Sequence, residues 1–212
     1  VLEQGTEMWR WTAIGRLYRD RSSEEMLSLL DSLPSIESDR WVRAARAYVL
    51  ADIPGGKKQA MEIFQELCAD KNAALADRYN DVHIPLLLGE MDLAREYADE
   101  WFNEWKAGRP QSRRAVSEFG EERLLRIIAT GEAPSVDGLN RFDSALVHHI
   151  LGLMAIADGR RQEAERCFET SIEKPYVNID HYWGETFLRH LRTDSSWPRE
   201  HRGLVTRGTM NE

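Results

Sequence analysis

Residues 11–18, Trp11-Thr12-Ala13-Ile14-Gly15-Arg16-Leu17-Tyr18, put large side chains at i, i+3 and i+7 around a glycine at i+4. On an α-helix these four positions share one face. The small residue lets a neighbouring helix approach closely, while the large ones fill the space on either side. Trp41, Ala44, Ala45 and Tyr48 repeat the set, and so do His148, Leu151, Gly152 and Ala155. A face of this kind used three times predicts a fold built by repeating a helical unit.

A second signal follows each of these faces or falls between them. Gly55, Gly89 and Gly159 are each followed five residues on by an alanine (Ala60, Ala94, Ala164) and four further on by Phe64, Ala98 or Phe168. The first two glycines are 34 residues apart, and the second and third are 70 apart, two such periods plus two residues. A glycine turn followed by an alanine on the next helix describes a helix pair whose second member also packs closely.

Together these residues resemble the tetratricopeptide repeat family, whose pattern is W-x2-L-G-x2-Y, then Ala, Phe, Ala and a closing Pro over about 34 residues. The fullest match runs from 145 to 178, with Leu151, Gly152, Ala164 and Phe168 in place. It departs from the pattern at His148, Ala155, Ser171 and Pro175. Further repeats fall near 8–34, 38–72 and 75–108, an irregular segment covers 111–140, and 179–193 forms a capping helix before a tail. The resemblance implies one all-α domain over 1–212, a right-handed α-solenoid of antiparallel helix pairs acting as a non-catalytic protein-interaction module. The tail from His181 through Trp197 also resembles helical-repeat regions appended to bacterial serine/threonine protein kinases. That implies an alternative role as the regulatory part of a larger signalling enzyme. The chain opens on Val1 without an initiator Met. It is therefore expected to be a piece of a longer polypeptide.

The periodicity predicts helices over 6–20, 23–33, 38–52, 57–69, 72–88, 91–107, 112–130, 142–158, 160–173 and 179–193. Ser22 with Glu25 is a capping box for the second. Pro85 lies inside the fifth, where it removes a donor and crowds the carbonyl of Asp81, so a kink is expected there.

Composition narrows the function classes. At 42% hydrophobic and 30% charged residues the chain is of ordinary globular type. No run reaches the ~18 apolar residues that a bilayer-spanning helix requires. A net charge of −8 and a pI near 5.4 oppose nucleic-acid binding, including through Lys106, Arg109, Arg113 and Arg114. Cys68 and Cys167 are too few for a disulfide framework, which favours a reducing, cytoplasmic setting. Both are expected as buried, inert thiols. No phosphate loop, G-x-S-x-G or metal-ligand spacing occurs, so no catalytic residue, cofactor or metal is assigned. His148 and His149 are adjacent, about 100° apart on a helix, and His148 is expected to fill the slot of a packing aromatic. Glu118, Glu121 and Glu122 are expected on a solvated helix face.

Of seven tryptophans, Trp11, Trp41, Trp101 and Trp105 are expected in the packing, while Trp9 and Trp197 have no repeat role and are candidates for exposed binding residues. In the tetratricopeptide family the ligand lies along a concave wall of first helices. Projecting that wall here gives Thr12, Arg16, Arg19, Val42, Arg46, Tyr79, His83 and His149. The set holds three arginines and no carboxylate in a net acidic chain. Its peptide-binding members, Arg16, Arg19, Arg46, Tyr79, His83 and His149, would suit an extended acidic or phosphorylated segment of a partner protein.

Overall fold

The computed structural model describes residues 7–33, 39–107, 120–173 and 179–197, with the side chains of 7–10, 76, 179 and 180 left aside. Among the described residues every regular element is an α-helix and there is no strand. In chain order they are α1 (Glu7–Arg19), α2 (Ser23–Asp31), α3 (Arg40–Asp52), α4 (Lys57–Cys68), α5 (Leu75–Asp81), α6 (His83–Leu87), α7 (Met91–Lys106), α8 (Glu121–Thr130), α9 (Arg141–Ala157), α10 (Arg161–Ile172) and α11 (Ile179–Thr193).

Local chemistry explains most of the boundaries. Glu25 N–H donates to Ser22 Oγ at 3.2 Å and Ser22 N–H to Glu25 Oε2 at 3.0 Å, so the capping box that starts α2 is complete. Asp39 Oδ1 accepts from Trp41 and Val42 to start α3. Asn140 Oδ1 accepts from Asp143 N–H at 2.9 Å to start α9. The turns after α6 and α9 share one design: Gly89 at φ 72° and Gly159 at φ 71° are left-handed. Glu90 N–H then reaches back to Pro85 O at 2.8 Å, and Arg160 N–H to Ala155 O at 2.7 Å. This is the Schellman closure that glycine permits, and it accounts for two of the three repeat glycines.

Two expected helices are corrected. The single kinked helix over 72–88 is two helices, α5 and α6, that part at Val82. Pro85 offers no N–H to the carbonyl of Asp81 and its ring collides with it, so the ladder is broken there. The long helix over 112–130 does not run through residue 120, because Gly120 sits at φ 68°, outside helical space. Residues 112–119 lie outside the described residues.

Five helices, α1, α3, α6, α9 and α11, turn rings inward that touch in sequence. Trp11 on α1 meets Tyr48 on α3 with centroids 5.1 Å apart, and Tyr48 meets His83 on α6 at 6.1 Å. His83 meets His149 on α9 at 5.6 Å, and His149 meets Phe187 on α11 at 6.2 Å. Phe187 meets Trp183 at 6.1 Å, and Trp183 returns to Trp11 at 4.9 Å. The circuit is closed. Among the described residues the first and last helices, α1 and α11, therefore lie against each other, and the inward positions are packed core instead of a concave face.

Small residues make this closure possible. A Cβ added to Gly15 would stand 3.0 Å from Trp183 Nε1, so the glycine is the notch that receives the indole of α11. At Gly152 an added Cβ would stand 2.8 Å from the ring of Phe168, which packs α10 on α9. Ala60, Ala94 and Ala164 are fully buried on α4, α7 and α10, as are Phe64, Ala98 and Phe168.

Candidate functional site

The six residues expected to share one groove do not share a surface. Tyr79, His83 and His149 are 4%, 1% and 1% exposed and belong to the core. Val42 is buried with them. The physical reason is α11: its Trp183 and Phe187 occupy the space that a concave wall would leave open. His149 is buried and its neighbour His148 is partly exposed, the reverse of the expected assignment, because α9 is enclosed on nearly all sides. Trp197 is also buried, stacked on Phe187 with centroids 5.9 Å apart, so it is not an exposed binding residue. The side chain of Trp9 lies outside the described residues.

The arginines remain outside. Arg16 is exposed on α1. Arg19 is held by Asp20 at 2.9 Å and by Glu185 of α11 at 3.1 Å, which ties it to the closure. Arg189 donates to the carbonyls of Arg19 and Arg21, supplying from α11 the partners that the C-terminal end of α1 lacks. Arg46 lies in a different place, a cleft of about 550 Å³ between the end of α2, α3 and α4. Asp31, Arg43, Arg46, Gln59, Glu62, Ile63 and Glu66 line it. Arg46 Nε donates to Asp31 at 2.7 Å and Arg43 Nη2 to Glu66 at 2.5 Å.

A cluster that sequence reasoning missed joins α1, α2, α3 and α11. Asp52 Oδ2 accepts from Tyr18 Oη at 2.6 Å and from Ser23 Oγ, and His190 Nδ1 lies 3.3 Å away. His190 Nε2 faces Arg189 Nη2 at 2.9 Å. Burial pushes the Asp52 carboxyl up, but the contact with His190 and donation from Ser23 and Tyr18 outweigh it and bring it to about 2. Burial, then the nearby Asp52 charge, pushes the Tyr18 phenol well above its usual value. The adjoining space holds about 10 Å³, enough for one water. Ser23, Asp52 and His190 are the residue types of a hydrolytic triad without its geometry: the serine bonds the carboxylate, not the imidazole. The cluster is a largely buried tie between α1, α2 and α3 on one side and α11 on the other.

The remaining chemistry-bearing groups are quiet. Burial pushes the Cys68 thiol up to about 12 and raises Cys167 as well, so neither is a thiolate at neutral pH. Among the described residues no group of three or more potential ligands could hold a metal ion. Glu121 is half-buried, not on a solvated face, and burial raises its carboxyl; Glu118 lies outside the described residues. None of the helices is long and apolar enough to cross a membrane, among the described residues. No protein-family model matches the chain, and comparisons with curated proteins and with solved structures find no match.

Proposed function

We propose that this chain is a non-catalytic protein-interaction module of degenerate tetratricopeptide-like helix pairs, wound right-handed, whose partner docks in the outer cleft between α2, α3 and α4. The observation that carries the reading is the exposure of the cleft's ion pairs. The side chains of Arg43 and Arg46 are 26% and 27% exposed, and those of their partners Glu66 and Asp31 are 65% and 47% exposed. Exposed pairs of this kind are worth only ~0–1 kcal/mol, so a ligand can exchange them at little cost.

Arg43 and Arg46 are three residues apart and face the same cleft on α3. A carboxylate or phosphate on an extended segment can take bidentate bonds from such guanidinium groups. A phosphate, with its larger charge, displaces Glu66 and Asp31 more readily than a carboxylate does. Glu62 and Glu66 on α4 would in turn suit a basic residue a few positions along the same segment, and Ile63 gives its aliphatic part a contact. This reading moves the acidic-segment partner from the filled inner face to an open cleft that contains Arg46 of the predicted wall and its neighbour Arg43.

Fluorescence anisotropy with a panel of extended peptides tests it. Acidic and phosphorylated peptides should bind, more weakly as salt rises, and the Arg43→Ala/Arg46→Ala variant should lose at least tenfold in affinity. Equal binding by that variant, or a preference for purely apolar peptides, contradicts the assignment.

A further inference from the structure

Two of the six rings in the aromatic circuit are histidines, and they touch each other. His83 on α6 and His149 on α9 are each 1% exposed, with ring centroids 5.6 Å apart. His83 also faces the phenol of Tyr79 on α5 at 4.7 Å and that of Tyr48 on α3 at 6.1 Å. His149 faces Phe168 on α10 at 5.6 Å and Phe187 on α11 at 6.2 Å. Among the described residues the two phenols and the opposite imidazole are the titratable groups around the pair; no carboxylate, ammonium or guanidinium acts on either ring, from these helices or from α4, α7 and α8. Nε2 of His83 and both nitrogens of His149 are buried without a hydrogen-bond partner.

A proton placed on either ring would be a charge without water or counter-ion, and two would repel across the contact. Burial alone holds His149 down to about 3, and burial followed by the charge of His149 holds His83 well below the usual imidazole range. Within the α9–α10 pair the close crossing of Gly152 on Phe168 has no titratable group, although His149 also touches Phe168. The contacts that join α6 to α3 and α9 to α6 and α11 in the circuit run through the two imidazoles.

We propose that His83 and His149 form an acid-sensitive release for the closed ring: protonation separates α9 from α6 and α11, and the circuit opens while the helices persist. An imidazole with an ordinary value near 6.5 when exposed, kept neutral in the closed form, weakens that form about 30-fold at pH 5 for each residue. Asp81 acts in the opposite direction. Burial pushes its carboxyl up to about 7 against the pull of the Arg40 guanidinium, so it takes up a proton in the closed form as pH falls and supports it. Asp81 is common to every variant of the pair, so comparison of variants isolates the histidines.

The test follows the near- and far-ultraviolet circular dichroism of the wild type and of His83→Phe/His149→Phe from pH 7.5 to 4.5. The wild type is expected to lose its aromatic signal while keeping its helical signal, and the double variant to do so at least one pH unit lower. Simultaneous loss of both signals, no change down to pH 4.5, or the same midpoint in both proteins overturns the proposal. Since the double variant can fail to fold, imidazole resonances of the wild type provide a second readout. Two of the six histidines should stay neutral at pH 6 while the structure is intact; ordinary titration of all six with the aromatic signal preserved overturns the proposal equally.

Discussion

The inner circuit and the outer cleft are built from the same repeated helices but have opposite character. Inside, Trp11, Tyr48, His83, His149, Trp183 and Phe187 are at most 2% exposed and fill the space between five helices. Outside, Arg43 and Arg46 on the same α3 that contributes Tyr48 stand in a solvent-filled cleft. What separates the two is the last helix. In an array whose ends stay apart, the inward positions form a wall for a ligand; here α11 returns to α1 and the wall becomes core. A residue's place on its own helix therefore decides its role only once the far end of the chain is placed.

The strongest way to break this contrast is to remove the ring at its hub. Trp183 touches Trp11, Tyr18 and Tyr48 and fills the notch at Gly15. Trp183→Ala should cost ~3–5 kcal/mol in urea unfolding, the range for a large aromatic lost from a packed core. A loss below ~1 kcal/mol would mean that α11 does not support the core.

Acid comes next. His83 and His149 have folded values below the unfolded value near 6.5, so the unfolded chain binds more protons and stability falls as pH drops through 6.5. By pH 5 each should have cost ~2 kcal/mol, part of it offset by Asp81. Asp52, held at about 2, adds a loss only as pH falls below its ordinary carboxylate value. Urea midpoints at pH 7.5, 6, 5 and 3 check the order of these steps.

A third test sharpens the inner region at the level of one pair. Gly152→Leu drives atoms into Phe168 and should cost ~1–3 kcal/mol by thermal circular dichroism. Equal melting would remove the close crossing of α9 and α10. The outer region should respond least in stability: Arg43→Ala/Arg46→Ala should change it by less than ~1 kcal/mol while the affinity for acidic peptides falls.

Much of the fold was legible in the sequence because it is local. Capping at Ser22, the turns at Gly89 and Gly159, and the alanines at 60, 94 and 164 are set by residues within a few positions, and the helix ends match the periodicity to within two residues outside the segments around Pro85 and Gly120. The candidate site was less legible. Nothing in the spacing of Gly15 shows that Trp183 will enter its notch, since the contact spans most of the chain and belongs to no period. Placing Tyr79, His83 and His149 on an open wall failed for the same reason. Their inward direction was right, and the occupant of the space was invisible. The Tyr18–Ser23–Asp52–His190 cluster left no motif either, because its members come from four elements.

Closure of α11 on α1 is the claim on which the rest depends, and oxidative crosslinking measures it directly. With Cys68 and Cys167 replaced by serine, Gly15→Cys and Tyr182→Cys are introduced at a pair on α1 and α11 whose Cβ atoms would lie 3.3 Å apart, close to disulfide spacing. Dilute protein treated with a mild oxidant should form an intrachain disulfide rapidly, seen as a mass loss of about two hydrogens and a shifted non-reducing gel band. Persistence of both free thiols in the folded monomer, or crosslinks between molecules only, would show that the two ends do not meet and that the inner face is open.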